Sequence, residues 1–209
     1  LHTVSEELHT VSVHIIHGIL PYVLQDNLTD KSEYEMGMER SKMAIKKVLG
    51  EPYENIADIV LLGHVMLSIS DGRTETVYGL AGTDGVTIQT SLLFPLTLYA
   101  SIDTKILGSL TNSQKDKLIS NISKDNGSTS VQYQLEGKRE SDNSYNCISW
   151  VLKVLEETDL HDLVSEYQSM TGNRIKYDPI PSMAIFTYGA ENAKMNYQLR
   201  FKLKISSVW

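Results

Sequence analysis

Scarcity sets the first bounds on these 209 residues. The chain carries one cysteine, Cys147, so no internal disulfide can staple the fold and the redox compartment is left open. No apolar run approaches the roughly 18 residues that a spanning helix needs, which excludes a helical membrane segment. Basic residues are outnumbered, 19 Lys and Arg against 26 Asp and Glu, giving a net charge of −7. That balance argues against nucleic acid and anionic membranes as partners, since both reward basic patches. Neither a Walker pattern, a G-x-G-x-x-G turn nor a G-x-S-x-G elbow occurs, so phosphate loops and the usual serine nucleophile find no support. His14 and His17 stand three apart but lack the further ligands of a zinc site, and neither a metal nor a cofactor is expected. The chain opens at Leu1 rather than methionine, as expected of a processed or excised piece whose targeting signal could have been removed.

What is present suits one domain with an accessory segment. Apolar content of 41 % suffices for a sizeable core. The pentapeptide "LHTVS" occurs at 1–5 and again at 8–12. Leu1, Val4, Leu8, Val11 and Ile15 follow 3–4 spacing and predict a helix, whose apolar stripe could support self-association. A second helix is expected over 32–48. Residues 1–52 therefore read as a helical N-terminal extension and 53–209 as the main domain. From Ile56 the run "IADIVLLGHVMLSIS" reads as a strand, and Asp71-Gly72 turns it into a second strand, "RTETVYGLAG". "TLYASIDTKILGSL" is ambiguous, a further strand or edge. "TNSQKDKLISNIS" begins with capping residues and predicts a helix, "STSVQYQLEG" a short strand, and "CISWVLKVLEE" a helix burying Trp150, Val151, Val154 and Leu155. A helix capped by Asp159 and ended by Gly172 follows. Residues 197–205 alternate as a half-buried strand with a basic outer face. The layout is α+β, a mostly antiparallel sheet packed with helices.

Two residues in this layout could carry chemistry together. Cys147 falls where a polar loop becomes a helix, and a helix N-terminus favours thiolate and offers backbone N–H groups to an oxyanion. His64 sits within the apolar strand after Gly63, a residue that lets another backbone or a ligand approach closely. A lone cysteine is more often a small buried hydrophobe, and a strand histidine more often a core side chain bonded to a carbonyl. Their joint setting shifts both toward a nucleophile and its base.

"GHVMLSISDGRTETVYG" resembles the histidine hairpin of the NlpC/P60 cysteine peptidases, and "NCISW" resembles their cysteine helix start, with Trp150 at the aromatic position. The histidine precedes the cysteine here, which is similar to the circularly permuted, papain-like branch and to the related lecithin–retinol acyltransferase-like and PPPDE peptidase groups. The likeness covers about residues 56–157 and rests on short motifs and the order of elements. It implies an amide or isopeptide hydrolase working through an acyl-enzyme on peptide, peptidoglycan or protein substrates, and a secreted bacterial effector or cell-wall peptidase; a cytoplasmic setting is the alternative. It also implies a third residue that orients the histidine, typically His, Asn, Gln or an acidic group. Counting along the matching turn puts this on Thr76. A strict two-residue turn at Asp71-Gly72 instead puts Glu75 on the face of His64, and a carboxylate orients imidazole better than a hydroxyl. Glu75 is preferred, with Thr76 and Tyr78 as rivals. Asn146 is expected to cap the helix or steady the oxyanion, and Tyr145 to line the cleft or pack. The competing classes are a non-catalytic protein-binding module and an acyltransferase or lipid-ester hydrolase.

Overall fold

The computed structural model describes residues 7–18, 56–82, 85–126, 131–135, 143–170 and 188–193, together with helical positions between 36 and 47 and position 195. A five-stranded antiparallel sheet organises them. Its strands are β1 (His9–His17), β2 (His64–Ser70), β3 (Glu75–Ala81), β4 (Gly85–Ile88) and β5 (Ser101–Leu110), in the spatial order β4-β3-β2-β1-β5. Helix α1 (Ala57–Leu62) precedes β2, and α2 (Thr90–Tyr99) joins β4 to β5. The helices α3 (Asn112–Asp125), α4 (Cys147–Glu157) and α5 (His161–Ser169) follow. Between α3 and α4 the short strands β6 (Gln132–Tyr133) and β7 (Ser144–Tyr145) pair in parallel. The expected α+β class with an antiparallel sheet is what the chain forms.

Period-two alternation splits the core into two layers. Val11, Val13 and Ile15 of β1 and Val65, Leu67 and Ile69 of β2 face α3, α4 and α5, where Leu118, Trp150, Val151, Val154 and Leu163 complete one cluster. Ile16, Met66 and Val77 face the other way, against Ala57, Val60 and Leu61 of α1, Leu96 of α2 and Ile45. Trp150 is fully buried as expected, and its indole Nε1–H donates to Asp125 Oδ2 at 3.0 Å, where Lys153 closes an ion pair at 2.9 Å.

Three expectations are corrected. Residues 9–17, expected on a helix in the N-terminal extension, are a strand between β2 and β5. Val11 and Ile15 are four apart and satisfy both periods; Val13 fits only period two, and with β-branched residues at 11, 13, 15 and 16 it decides for the strand. The helical face expected to support self-association is therefore not formed there. The run from Ile56 is also not one strand. Ala57, Val60 and Leu61 bury at helical spacing, and Gly63, at φ +82°, breaks the helix before β2 begins at His64. Finally, α5 starts after Leu160 with no side-chain cap; Asp159 adopts φ +61° and pairs with Lys117 at 2.6 Å instead. The ambiguous "TLYASIDTKILGSL" divides into the end of α2 and β5. The described positions between 36 and 47 are helical, as expected for 32–48. Gly172 and the alternating 197–205 lie outside the described residues. Among the described residues no helix is long and apolar enough to cross a membrane.

Candidate active site

Cys147 is the first residue of α4. Asn146 caps the helix: its Oδ1 accepts the backbone N–H of Ile148 at 3.0 Å and of Ser149 at 2.9 Å, and the Ser149 hydroxyl accepts the Asn146 N–H in return at 3.1 Å. The asparagine that the sequence offered as cap or oxyanion group is thus committed to capping. The thiol turns inward, fully buried in the cluster of Val65 and Trp150. Burial pushes its pKa up to about 12, against the backbone N–H groups of Val65, Cys147 and Ile148 that favour the thiolate. The Val65 N–H belongs to the peptide that joins it to His64. The sulfur therefore sits against the start of β2, beside the backbone of the predicted base.

His64 opens β2 rather than lying mid-strand. By strand parity its side chain falls with Met66 on the α1 and α2 face. It is buried, and its Nε2 lies 2.8 Å from Oε1 of Gln89. An amide oxygen can only accept, so Nε2 carries the proton and Nδ1 of the neutral ring keeps its lone pair. Burial lowers the pKa of this imidazole, with the Gln89 bond opposing the shift. Gln89 is itself buried between β4 and α2, with its backbone N–H on Val77 O at 2.6 Å. Its amide lies over Gly79, where any Cβ would overlap it. No hydrogen bond joins Cys147 to His64 among the described residues.

The remaining predicted residues part company. The β2–β3 turn spans Asp71 to Thr74, with Ser70 opposite Glu75. Asp71 Oδ1 accepts the N–H groups of Arg73 and Thr74, both at 2.8 Å, which closes a four-residue loop rather than a strict two-residue turn. Glu75 keeps the parity expected of it but stands at the far end of β2 from His64. It cannot orient that ring, and it binds His14 instead. Thr76 pairs with Ile69 and Tyr78 with Leu67, both on the opposite face. Tyr145 is buried, with Lys153 Nζ 5.8 Å from its ring centroid, so it packs. Gly63 gives the close approach that was read from it: a Cβ there would stand 2.8 Å from Ile16 O and 2.9 Å from Gly18 N. His14 and His17, three apart in a strand, project to opposite faces and cannot chelate together; His17 Nε2 meets Asp103 Oδ2 at 2.9 Å.

The residue that sequence reasoning passed over is Gln89. It follows a strand not recognised as one, and only the β3–β4 pairing folds it back over Gly79 toward His64. Its one sequence signal was negative, a polar amide between Ile88 and the apolar "SLLFPL" run. The chain matches no protein-family model, no curated protein and no solved structure.

Proposed function

We propose that this chain is a cysteine hydrolase that opens an amide or isopeptide bond, with Cys147 as nucleophile, His64 as base and Gln89 as the group that holds the imidazole. The observation that carries the reading is what meets the start of β2: on one face a cysteine at the first position of α4, whose sulfur lies at the His64–Val65 peptide, and on the other a histidine whose Nε2–H is fixed on an amide oxygen. That fixing leaves Nδ1 as the basic nitrogen. Gln is also among the residue types that the permuted papain-like resemblance implies for the third position. The reaction requires Nδ1 of His64, which strand parity places on the α1 and α2 face, to reach the thiol around the first residue of β2; the thiol proton then passes to Nδ1 as sulfur attacks the carbonyl carbon. The amine then leaves with that proton, and water, deprotonated by the same nitrogen, releases the acid. Because burial holds the thiol neutral, proton transfer accompanies attack rather than preceding it. The substrate class is a peptide, a peptidoglycan stem peptide or a ubiquitin-like conjugate met after secretion or delivery into a target cell.

The test compares wild type with Cys147→Ala and Gln89→Ala on peptidoglycan fragments and ubiquitin-type conjugates, reading products by mass. Cleavage by wild type, abolished in Cys147→Ala and at least about tenfold slower in Gln89→Ala, is the expected result. Equal product from wild type and Cys147→Ala would overturn the reading. A second reading, a non-catalytic protein-binding module, is favoured by one observation: Cys147 and His64 are both buried, on opposite faces of the sheet, and among the described residues no hydrogen bond joins them. On that reading neither substrate class is cleaved and both residues only hold the core.

A further inference from the structure

A second histidine is built into a relay elsewhere on the sheet. His14 of β1 is 5 % exposed and uses both ring nitrogens: Nδ1 stands 2.7 Å from Thr104 Oγ1 on β5, and Nε2 stands 2.8 Å from Glu75 Oε1 on β3. Burial raises the Glu75 pKa, but hydrogen bonds from Ser68 and His14 outweigh it and hold the carboxyl below its ordinary value. A carboxylate only accepts, so Nε2 carries the ring proton. Nδ1 of the neutral imidazole is then the acceptor, and the Thr104 hydroxyl donates to it. The chain of bonds thus runs hydroxyl to imidazole to carboxylate, in the order that activates an oxygen nucleophile.

The surroundings of Thr104 add the other requirements. It is exposed, whereas the histidine behind it is buried. Among the described residues β5 is an edge strand, and the Thr104 carbonyl accepts the Tyr188 hydroxyl at 3.4 Å, from outside the sheet ladder. In an antiparallel strand the N–H and C=O of one residue point the same way, so the Thr104 N–H also faces away from β1, toward the side where Tyr188 lies. A donor is therefore available to a developing oxyanion at the nucleophile itself. Two residues along the same face stands Ile106, 64 % exposed, an apolar surface for a short acyl chain.

We propose that Thr104 is the nucleophile of a second acyl-transfer site, with His14 as its base and Glu75 as a positioning residue, acting on short uncharged carboxylic esters. Oγ1 bonds to the carbonyl carbon as its proton moves to Nδ1 of His14. The ester C–O bond breaks, and the departing alkoxide takes that proton to leave as the alcohol. Water, deprotonated by the same nitrogen, then hydrolyses the threonine ester and restores the hydroxyl. This site shares no residue with the Cys147–His64–Gln89 set, and its test does not depend on that reading.

The experiment treats the full chain with an alkyl fluorophosphonate probe and locates the adduct by peptide mass. The expected result is phosphonylation at Thr104, retained in Thr104→Ser and lost in Thr104→Val. His14→Gln and Glu75→Gln are expected to slow labelling by about 10²-fold or more, and Glu75→Asp to recover part of the rate. Circular dichroism on each variant shows that it remains folded, and the Ser and Val pair keeps the test decisive if His14→Gln does not fold. No adduct at Thr104, or one that forms equally fast in folded Glu75→Gln, would overturn the proposal.

Discussion

Alkylation of Cys147 gives a direct measure of how far its burial controls its chemistry. The perturbation is pH, applied to native and urea-unfolded protein between 7 and 10. The thiol is pushed from an ordinary 9.0 to about 12. At pH 8 the thiolate fraction therefore falls from about one in ten to about one in ten thousand, roughly 10³-fold. The more basic thiolate is intrinsically more nucleophilic, and a Brønsted slope of about 0.4–0.5 over that shift returns roughly 20-fold. The native thiol should therefore react with iodoacetamide about 50-fold more slowly than the unfolded one, before any steric exclusion. Intact mass against time gives both rates. The native rate should climb about tenfold per pH unit through pH 10, while the unfolded rate levels off above pH 9. Stability carries the same signature. Above pH 9 the unfolded thiol sheds a proton that the native one keeps, so this group lowers native stability by up to about 1.4 kcal/mol per unit, and the slope should be shallower in Cys147→Ala. Equal native and unfolded rates, or a native plateau below pH 8, would refute the reasoning.

Three further outcomes follow from the geometry. Gly79→Ala drives a methyl into the Gln89 amide; urea titration should show a loss of about 1–3 kcal/mol, and an unchanged midpoint would mean that Gln89 does not rest there. Burial lowers the pKa values of His64 and His17 below 6.5, against the Gln89 and Asp103 contacts respectively. The unfolded chain then binds more protons, so stability is full above about pH 6.5 and declines as pH falls below it; urea midpoints at pH 7.5 and 5.5 should show this, with a flatter slope in His64→Gln. Asp125→Ala strands the Trp150 N–H and leaves the Lys153 ammonium to Glu157 alone, and chemical denaturation should report a loss of about 1–3 kcal/mol, as for a buried donor left unsatisfied.

The parts of the fold that were legible are those where one signal had no competitor. "TNSQKDKLISNIS" became α3, with Thr111 and Gln114 forming a reciprocal capping box, because a polar cap followed by 3–4 spacing admits no strand reading. "NCISW" became a capped, buried helix start for the same reason. β1 was misread because Val11 and Ile15 fit two periods, and repetition of "LHTVS" lent weight to the wrong one. α1 was missed because its six residues, apolar apart from Asp58, run without a polar break into β2. A continuous apolar run cannot be assigned by periodicity, and the break lies in the backbone angle of Gly63 rather than in any change of hydropathy. α2 was missed in the same way, since "SLLFPLTLY" has no polar face to mark its period and a proline inside it.

The candidate site divides along a different line. The sequence supplied the histidine and the cysteine because both are local: a strand start after glycine, a helix start after asparagine. Their partners are set by pairing across the sheet, and pairing depends on turn length. A four-residue turn rather than a two-residue one keeps Glu75 on its predicted face but moves it along the sheet, out of reach of His64 and onto His14. The role assigned to Glu75, a carboxylate that fixes an imidazole, holds in kind while its histidine changes. The amide that does fix His64 comes from the residue after β4, two strands from β2, and no spacing rule within the β2–β3 hairpin could have reached it. If function resides at His64, Gly79 is then as necessary as Gln89, because only a residue without Cβ leaves the amide its place. An alanine scan that skips glycines would miss that dependence.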